Sequence, residues 1–396
     1  MKASAFVYPW DVNGDPGAGE FIAGLGVRQA TLASAYHSTR ALTPRHPRHR
    51  IVTAEHAAVL YPPGEDRWAG RRLRPYPAGD WAPGDAYGQA AAALADAGLE
   101  VHTWVVLAHS SRLGAEHPDT SVVNAYGDRY PWAPCIARQE TRQYLVDLAV
   151  EAAVRPGAAG TELESLGWYG LAHLHAHDKT GGVALGEAGQ YLMSLCFCGT
   201  CREGYAGVGL DPDELAAAVR EALEPLWRAE VPDGGWPVAE KLLGTERAAL
   251  TRAWRDGTAR LLQEDTVMAV RAAAPEGFQV LLHADPVPYH CGANAGVDAG
   301  HVLGVADGVV VPCTGGPGLL TPFAERAREN TVLAANLTVV SGMGGSPATL
   351  TTDAARAADL GATELRLYHA GLASDGDLAA VREALTGLGQ AVSDGS

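Results

Sequence analysis

Short apolar runs rich in β-branched residues alternate along the chain with longer segments of helical periodicity. Eight of the apolar runs have the length and composition of buried strands. The predicted strands lie in ASAFVY, VRQATLAS, EVHTWVVLA, GTELESLG, FQVLLHA, ADGVVVP, TVLAANLTVV and TELRLYHAG. Between most of them lie amphipathic stretches such as QETRQYLVDLAVEAAVR.

Strands that alternate with helices predict parallel strands joined by crossover helices. Eight such units in 396 residues predict one (β/α)8 TIM-barrel domain over 1–396. The alternative is an open doubly wound sheet, but no strand is followed by a glycine-rich phosphate-binding turn. Two segments exceed a minimal barrel. We predict an extended loop or subdomain over 38–85, after the second strand, and a helical, cysteine-containing insertion over 186–274, after the fourth.

Composition narrows the class of protein. The chain is 47% hydrophobic and 19% charged, which allows a large buried core. Its formal net charge of −16 disfavours nucleic acids and anionic membranes as partners, because both are negatively charged. The sequence contains neither a long apolar run typical of a membrane span nor the apolar core of a signal peptide, and its six cysteines do not form a disulfide framework. We therefore expect a cytoplasmic protein.

Two glutamates are the strongest catalytic candidates. In a TIM barrel the reactive groups lie at the carboxyl ends of the strands and in the loops that follow them. Glu162 and Glu164 share one face of the fourth strand, because side chains alternate with a period of two. Burial would raise the pKa of such a carboxyl group toward use as a general acid. Glu164 is the predicted acid and base, and Glu162 a deeper catalytic or supporting group. The alternative is that both glutamates only anchor arginines or backbone N–H groups.

Glycoside cleavage requires a second carboxylate, which attacks the sugar or activates water. Asp285, at the end of the fifth strand, is the predicted second group, and Asp11 after the first strand comes next. Many barrel glycosidases carry a glutamate on the seventh strand, whereas this strand reads NLTVVSGMGG. The commonest two-glutamate arrangement is therefore excluded.

Other strand ends supply aromatic rings that can stack on a sugar and polar groups that can bind its hydroxyls. The densest group is the run HLHAHDK after the fourth strand, for which a solvated surface loop is the alternative interpretation. The predicted substrate-binding residues are Trp10, Asp11, His37, His109, Asn124, Tyr126, Asp128, Trp168, His173, His177, Lys179, His283 and Tyr368.

Three cysteines lie close together in CFCGTC, at Cys196, Cys198 and Cys201. Thiolates with this spacing can hold a structural zinc ion, which requires four ligands. The fourth ligand would be Cys135, Cys291, Cys313 or a histidine such as His175. The alternative is three reduced thiols packed in a turn between helices.

The stretch from Val101 to Arg202 contains the motifs HPD, NAYGD, ELESLG and CFCGTC in this order. It resembles the barrel of uncharacterised bacterial glycoside-hydrolase-like proteins. The resemblance implies a TIM barrel and a carbohydrate-related substrate. It also implies that Glu164, Asn124, Asp128 and the histidine run are pocket residues.

Together these features predict a glycoside-hydrolase-like enzyme that cleaves or rearranges a carbohydrate by carboxylate acid/base catalysis. It would need no cofactor beyond a possible structural zinc. One alternative is a metal-dependent sugar isomerase or hydrolase with Glu164, Asp285 and His283 as ligands. The other is a barrel without catalysis that binds a glycan or a partner protein.

Overall fold

The computed structural model describes residues 1–174, 178–230 and 234–394, with the backbone alone over 389–394. Its parallel barrel strands are β1 (Lys2–Val7), β2 (Gln29–Tyr36), β3 (Glu100–Val106), β4 (Ala158–Glu164), β5 (Gln279–Asp285), β6 (Gly308–Pro312), β7 (Val332–Thr338) and β8 (Glu364–Tyr368). Each strand pairs with the next, and β1 pairs with both β2 and β8, so the sheet is closed. The predicted (β/α)8 TIM barrel is confirmed, and every predicted strand overlaps one barrel strand.

The helices are α1 (Pro9–Val12), α2 (Ala18–Ala23), α3 (Glu65–Trp68), α4 (Ala86–Asp96), α5 (Ser111–Glu116), α6 (Gln139–Ala153), α7 (Gly186–Met193), α8 (Gly199–Gly207), α9 (Pro212–Trp227), α10 (Trp236–Leu243), α11 (Thr245–Ala273), α12 (Ala299–Val305), α13 (Thr321–Ala324), α14 (Leu350–Asp359) and α15 (Asp375–Asp394). Short antiparallel strands pair Thr39–Leu42 with Ile51–Ala54, Ser121–Val123 with Arg129–Pro134, and Ala58–Val59 with β2. Ala295–Gly296 pairs in parallel with the end of β5. None of the helices in the described ranges combines the length and apolar character needed to cross a membrane.

Helix α11 serves as the outer-ring helix between β4 and β5. Arg142 on α6 pairs with Asp265 on α11 at 3.4 Å, and Arg260 on α11 pairs with Asp298 at the start of α12, also at 3.4 Å. The helix therefore bridges its two neighbours in the ring, as a crossover helix does. The shorter helices α7 to α10 precede it and form the extra helical layer after β4.

The barrel interior is divided between apolar and polar side chains. Leu281, Val310 and Ala334 belong to a fully buried apolar cluster on β5, β6 and β7. Glu162 on β4 and Arg366 on β8 are also completely buried, which places an ion pair in the centre of the barrel. TIM-barrel interiors are usually filled by branched apolar residues, so this ion pair departs from the usual filling.

The segment after β2 is anchored to the loop after β8, across the neighbouring strand β1. The hairpin of Thr39–Leu42 and Ile51–Ala54 is joined by a loop that carries Arg45. The Arg45 guanidinium donates hydrogen bonds to the carbonyl oxygens of Ala370 and Ala373, at 2.8 and 2.6 Å. Because both carbonyls belong to the loop after β8, the hairpin lies across β1 and reaches the β8 side of the barrel mouth.

Candidate active site

A cavity of about 1050 Å³ opens at the carboxyl ends of the barrel strands. Polar and aromatic residues form much of its surface: Tyr8, Tyr36, His37, Trp104, His109, Glu164, Tyr169, His173, His283, Asn294, Asn336 and Tyr368. The position agrees with the general rule that TIM-barrel sites lie at this face. Among the described residues that line the cavity, Glu164 is the one carboxylate.

Glu164 is the last residue of β4 and is 8% exposed at the cavity floor. The indole Nε1–H of Trp104 donates a hydrogen bond of 2.7 Å to its Oε2. Burial raises the pKa of the Glu164 carboxyl group above its usual value. The His283 charge and the Trp104 hydrogen bond oppose this rise, and the negative charge of Glu162 adds to it. The carboxyl group of Glu164 therefore binds a proton more readily than that of an exposed glutamate.

Glu162 lies one layer deeper and has the opposite protonation preference. Its Oε1 accepts hydrogen bonds from Arg366 Nε at 2.5 Å and from Thr31 Oγ1 at 3.1 Å. Burial opposes ionisation, but Arg366 and His283 outweigh it and hold the pKa of Glu162 at about 2. Glu162 does not line the cavity. It is a fixed anion beneath the site, and a direct catalytic role for it stays a prediction.

His283 on β5 connects the two glutamates. Its Nε2 lies 3.4 Å from Glu162 Oε2, and its Nδ1 lies 3.9 Å from Glu164 Oε2. The imidazole also lines the cavity, as predicted for a residue of the barrel mouth. A change in the charge of Glu162 or His283 therefore acts directly on Glu164.

Asp285, the predicted second carboxylate, is placed outside the cavity lining. Its Oδ2 lies 3.0 Å from His290 Nδ1, and its Oδ1 accepts a hydrogen bond from the Val287 backbone N–H at 2.8 Å. His290 Nε2 in turn lies 3.3 Å from Glu187 on α7. Asp285 is the last residue of β5, and its carboxylate contacts His290 in the loop that follows the strand. Its chemical role stays a prediction.

The metal-dependent alternative required Glu164, Asp285 and His283 to converge. His283 lies beside Glu164, whereas Asp285 pairs with His290. Across the described part of the chain, the group of side chains close enough to share one metal ion consists of cysteines.

Three tyrosines form a neutral hydrogen-bonding wall beside Glu164. The hydroxyl of Tyr8 donates to that of Tyr36 at 3.0 Å, and all three of Tyr8, Tyr36 and Tyr368 line the cavity. Burial raises the pKa of each phenol, so they remain protonated donors at neutral pH. Tyr8 and Trp104 were missed by the sequence prediction. The alternation of side chains along β1 and β3 could have identified them, because it places both residues on the inward face of the barrel.

Histidines predicted to bind substrate also line the cavity. His37 stacks on Tyr36 and His109 on Tyr169, each with ring centroids 4.2 Å apart. His173 also lines the cavity, and burial lowers its pKa. His177 lies outside the described residues. The stacked rings hold their imidazole edges in defined positions, which suits hydrogen bonding to sugar hydroxyls.

The other predicted binding residues lie outside the cavity lining: Trp10, Asp11, Asn124, Tyr126, Asp128, Trp168 and Lys179. Several of them have clear structural contacts. Asp11 accepts a hydrogen bond of 2.8 Å from the Tyr8 backbone N–H, and burial raises its pKa to about 7 against the effects of that bond and Arg45. Trp168 is buried and donates its indole N–H to the Arg255 carbonyl at 3.0 Å.

The NAYGD motif folds into a local turn. The Asn124 side-chain amide donates to Asp128 Oδ2 at 3.1 Å, and its carbonyl oxygen accepts from the backbone N–H of Tyr126 and of Asp128. Tyr126 is exposed, and its hydroxyl accepts a hydrogen bond from Trp227 on α9. These contacts fix the loop between Ser121–Val123 and Arg129–Pro134, so a substrate role for the motif stays a prediction.

A four-cysteine cluster lies beside the barrel. Cys135 joins Cys196, Cys198 and Cys201, and all four Sγ atoms lie within 4.8 Å of one another. Cys135 Sγ is 3.6 Å from Cys198 Sγ and 3.5 Å from Cys201 Sγ. All four side chains are buried, and the donor set is the one that a tetrahedral thiolate site requires. The cluster can therefore hold a metal ion, and Cys135 supplies the fourth ligand that the sequence left open.

The structure is similar to solved glycoside hydrolases at low sequence identity. An α-L-fucosidase isoenzyme 2 from Paenibacillus thiaminolyticus matches with a TM-score of 0.59 and 12% identity, over 98% of this chain and 49% of that chain. The catalytic domain of a β-amylase from Paenibacillus polymyxa matches with a TM-score of 0.56 and 13% identity, over 97% of both chains. A cold-adapted β-galactosidase from Rahnella sp. R3 matches with a TM-score of 0.54 and 11% identity, over 98% of this chain and 56% of that chain.

This chain thus spans about half the length of the fucosidase and of the galactosidase. At these identities the similarity shows the fold alone. Protein-family models and curated proteins give no match to the sequence.

We expect Arg366→Met to destabilise the protein strongly, because it removes the buried arginine that pairs with the carboxylates of Glu162 and Glu364. The expected loss in free energy of unfolding is about 3–5 kcal/mol, measured by urea denaturation at pH 7. The control is Arg356→Met, whose side chain is 68% exposed, with an expected change of about 0–1 kcal/mol. The double variant Glu162→Met/Arg366→Met should lose less than Arg366→Met alone. Equal stability of Arg366→Met and the control would contradict this prediction.

Proposed function

We propose that this chain is a glycoside-hydrolase-like enzyme in which Glu164 donates a proton to the glycosidic oxygen. The observation that carries the proposal is the position of Glu164, a carboxyl group with a raised pKa at the floor of the barrel cavity. Carboxyl groups of this kind are typical general acids in glycoside cleavage. The similarity of the barrel to a fucosidase, an amylase domain and a galactosidase supports the reaction class.

In the proposed reaction the protonated Glu164 transfers its proton to the leaving oxygen as the bond to the sugar carbon breaks. The resulting carboxylate keeps the Trp104 Nε1–H hydrogen bond, which stabilises the charge that forms. In a retaining reaction a nucleophile first forms a covalent bond to the sugar carbon. Glu164 would then remove a proton from the water molecule that breaks this bond, which restores the starting carboxyl group. The tyrosine wall and the stacked histidines would bind the hydroxyls of the sugar.

The sugar carbon must also be attacked by a nucleophile or by an activated water molecule. Asp285 is our candidate for this role, and it would have to leave His290 before it can act. Residues 286–294 form the loop that carries His290 and reaches Ala293 and Asn294 at the cavity, so substrate could displace this contact. In the alternative, Asp285 only fixes the loop.

Glu164→Gln should lower kcat on aryl glycosides by about 100-fold or more, because the amide cannot donate the proton. The measurement is steady-state hydrolysis of a panel of 4-nitrophenyl glycosides. Glu325→Gln, whose side chain is 66% exposed, is the matched control and should keep the wild-type rate. Equal turnover by wild type and Glu164→Gln would remove Glu164 from the mechanism.

The variant Asp285→Asn separates the two roles of Asp285 in the same assay. A loss of kcat comparable to that of Glu164→Gln supports a chemical role, whereas a higher KM with unchanged kcat supports a role in fixing the loop. Glycan binding without turnover by the wild type would favour the barrel without catalysis.

The pH profile should respond in opposite directions to the two neighbours of Glu164. The acid form of Glu164 is the active one, so kcat/KM falls as pH rises through its pKa. His283→Gln removes a group that lowers this pKa, so the alkaline limb should move to higher pH. Glu162→Gln removes an anion that raises it, so the limb should move to lower pH. Shifts in the same direction would contradict the proposed coupling; circular dichroism checks that both variants are folded.

We also propose that the four-cysteine cluster holds a structural zinc ion. The purified chain should contain about one zinc per molecule, measured by plasma mass spectrometry. Cys135→Ser should lose the metal and part of the free energy of unfolding, because metal binding in such sites is coupled to folding. The control is Cys313→Ser, which is equally buried but outside the cluster. Metal-free protein after expression with zinc would contradict this proposal.

A further inference from the structure

The cavity has an apolar wall at its rim, formed by side chains from segments beyond the strand ends. Leu42 comes from the hairpin after β2, Val340 and Met343 from the loop after β7, and Leu372 from the loop after β8; all four line the cavity. Glu164, by contrast, is the last residue of β4 and lies at the cavity floor. Arg40, two residues before Leu42, also lines the cavity, so the apolar wall borders one charged side chain.

Arg45 holds together two parts of this wall, the hairpin that carries Leu42 and the β8 loop that carries Leu372. Its guanidinium extends from the hairpin and donates to the carbonyl groups of Ala370 and Ala373, which flank Leu372 in the β8 loop. Leu42 and Leu372 are thus brought to the same rim by partly buried hydrogen bonds from the Arg45 side chain to the backbone of the β8 loop. These hydrogen bonds fix the hairpin and the β8 loop next to each other at the mouth of the barrel.

The outer part of the wall is exposed. Leu42 is 54% exposed and Met343 is 52% exposed, although both line the cavity. Ile51, which pairs directly with Leu42 across the hairpin, is also 54% exposed and extends the surface outward. Contiguous exposed apolar side chains at a cavity mouth are typical of a ligand-binding surface.

We propose that this wall binds the aglycone of the substrate, and that the aglycone is an aryl or alkyl group. The inference rests on the proposed function, because the reactive bond must lie at Glu164 on the cavity floor for the aglycone to reach this rim. Aliphatic side chains offer no hydrogen bonds, so the hydroxyls of a second sugar would lose water there without compensation. An aryl or alkyl group has no such cost and removes apolar surface from water.

The test measures binding without turnover, in the Glu164→Gln background. Methyl, n-hexyl and 4-nitrophenyl glycosides of fucose, galactose and glucose are titrated calorimetrically, together with disaccharides of the same sugars. For a sugar that binds, the hexyl and 4-nitrophenyl glycosides should have a Kd at least about 10-fold below that of the methyl glycoside. Leu42→Ser/Met343→Ser should remove most of this gain and leave the Kd of the methyl glycoside unchanged.

Met268→Ser is the matched control, since Met268 is 61% exposed on α11 and does not line the cavity. It should keep the full gain. An aryl and alkyl gain that survives Leu42→Ser/Met343→Ser, or a disaccharide that binds more tightly than both, overturns this inference and leaves the proposed function intact. Failure of every glycoside to bind overturns both.

Discussion

The ion pair between Glu162 and Arg366 is the interaction on which the rest of the site depends. Both side chains are completely buried in the barrel, and neither can be removed alone without leaving a charge in a medium of low polarity. Thr31 and the neighbouring hydroxyl of Ser4, 2.8 Å from it, continue the polar region toward β1 and β2. The pair takes the place of apolar packing at the centre of the barrel. It holds the Glu162 carboxylate as a fixed negative charge under the cavity.

That charge explains how two glutamates on one strand acquire different properties. Glu162 is held as an anion by Arg366, whereas Glu164 accepts a hydrogen bond from the Trp104 indole and lies at the cavity floor. Environments that separate the pKa values of nearby carboxyl groups are the usual means of dividing chemical roles between them. His283 lies between the two carboxyl groups and is close to both. It therefore couples the charge of Glu162 to the protonation of Glu164.

Local sequence patterns were enough to predict the fold, but they predicted the candidate site only in part. Alternation of strands and helices predicted the closed barrel, and period-two spacing placed Glu162 and Glu164 on one face. The sequence could not show that Arg366, 204 residues after Glu162, is its partner, because that contact arises only when the ring closes. For the same reason the sequence could not identify Cys135, over Cys291 or Cys313, as the fourth cysteine of the cluster. The contact between Asp285 and His290 depends on the path of the loop after β5, which the sequence pattern does not predict.

The barrel strands and the loops beyond them supply different parts of the candidate site. Glu164, Trp104 and His283 are supplied by β3, β4 and β5, whose pairing and buried contacts leave little freedom. The apolar rim is supplied by loops after β2, β7 and β8, which carry exposed side chains and tolerate change more readily. Arg45 ties the hairpin to the β8 loop through backbone carbonyls, so it fixes the position of the wall while leaving its side chains free to vary. A barrel built in this way can keep one proton-transfer centre and change the group that its mouth accepts.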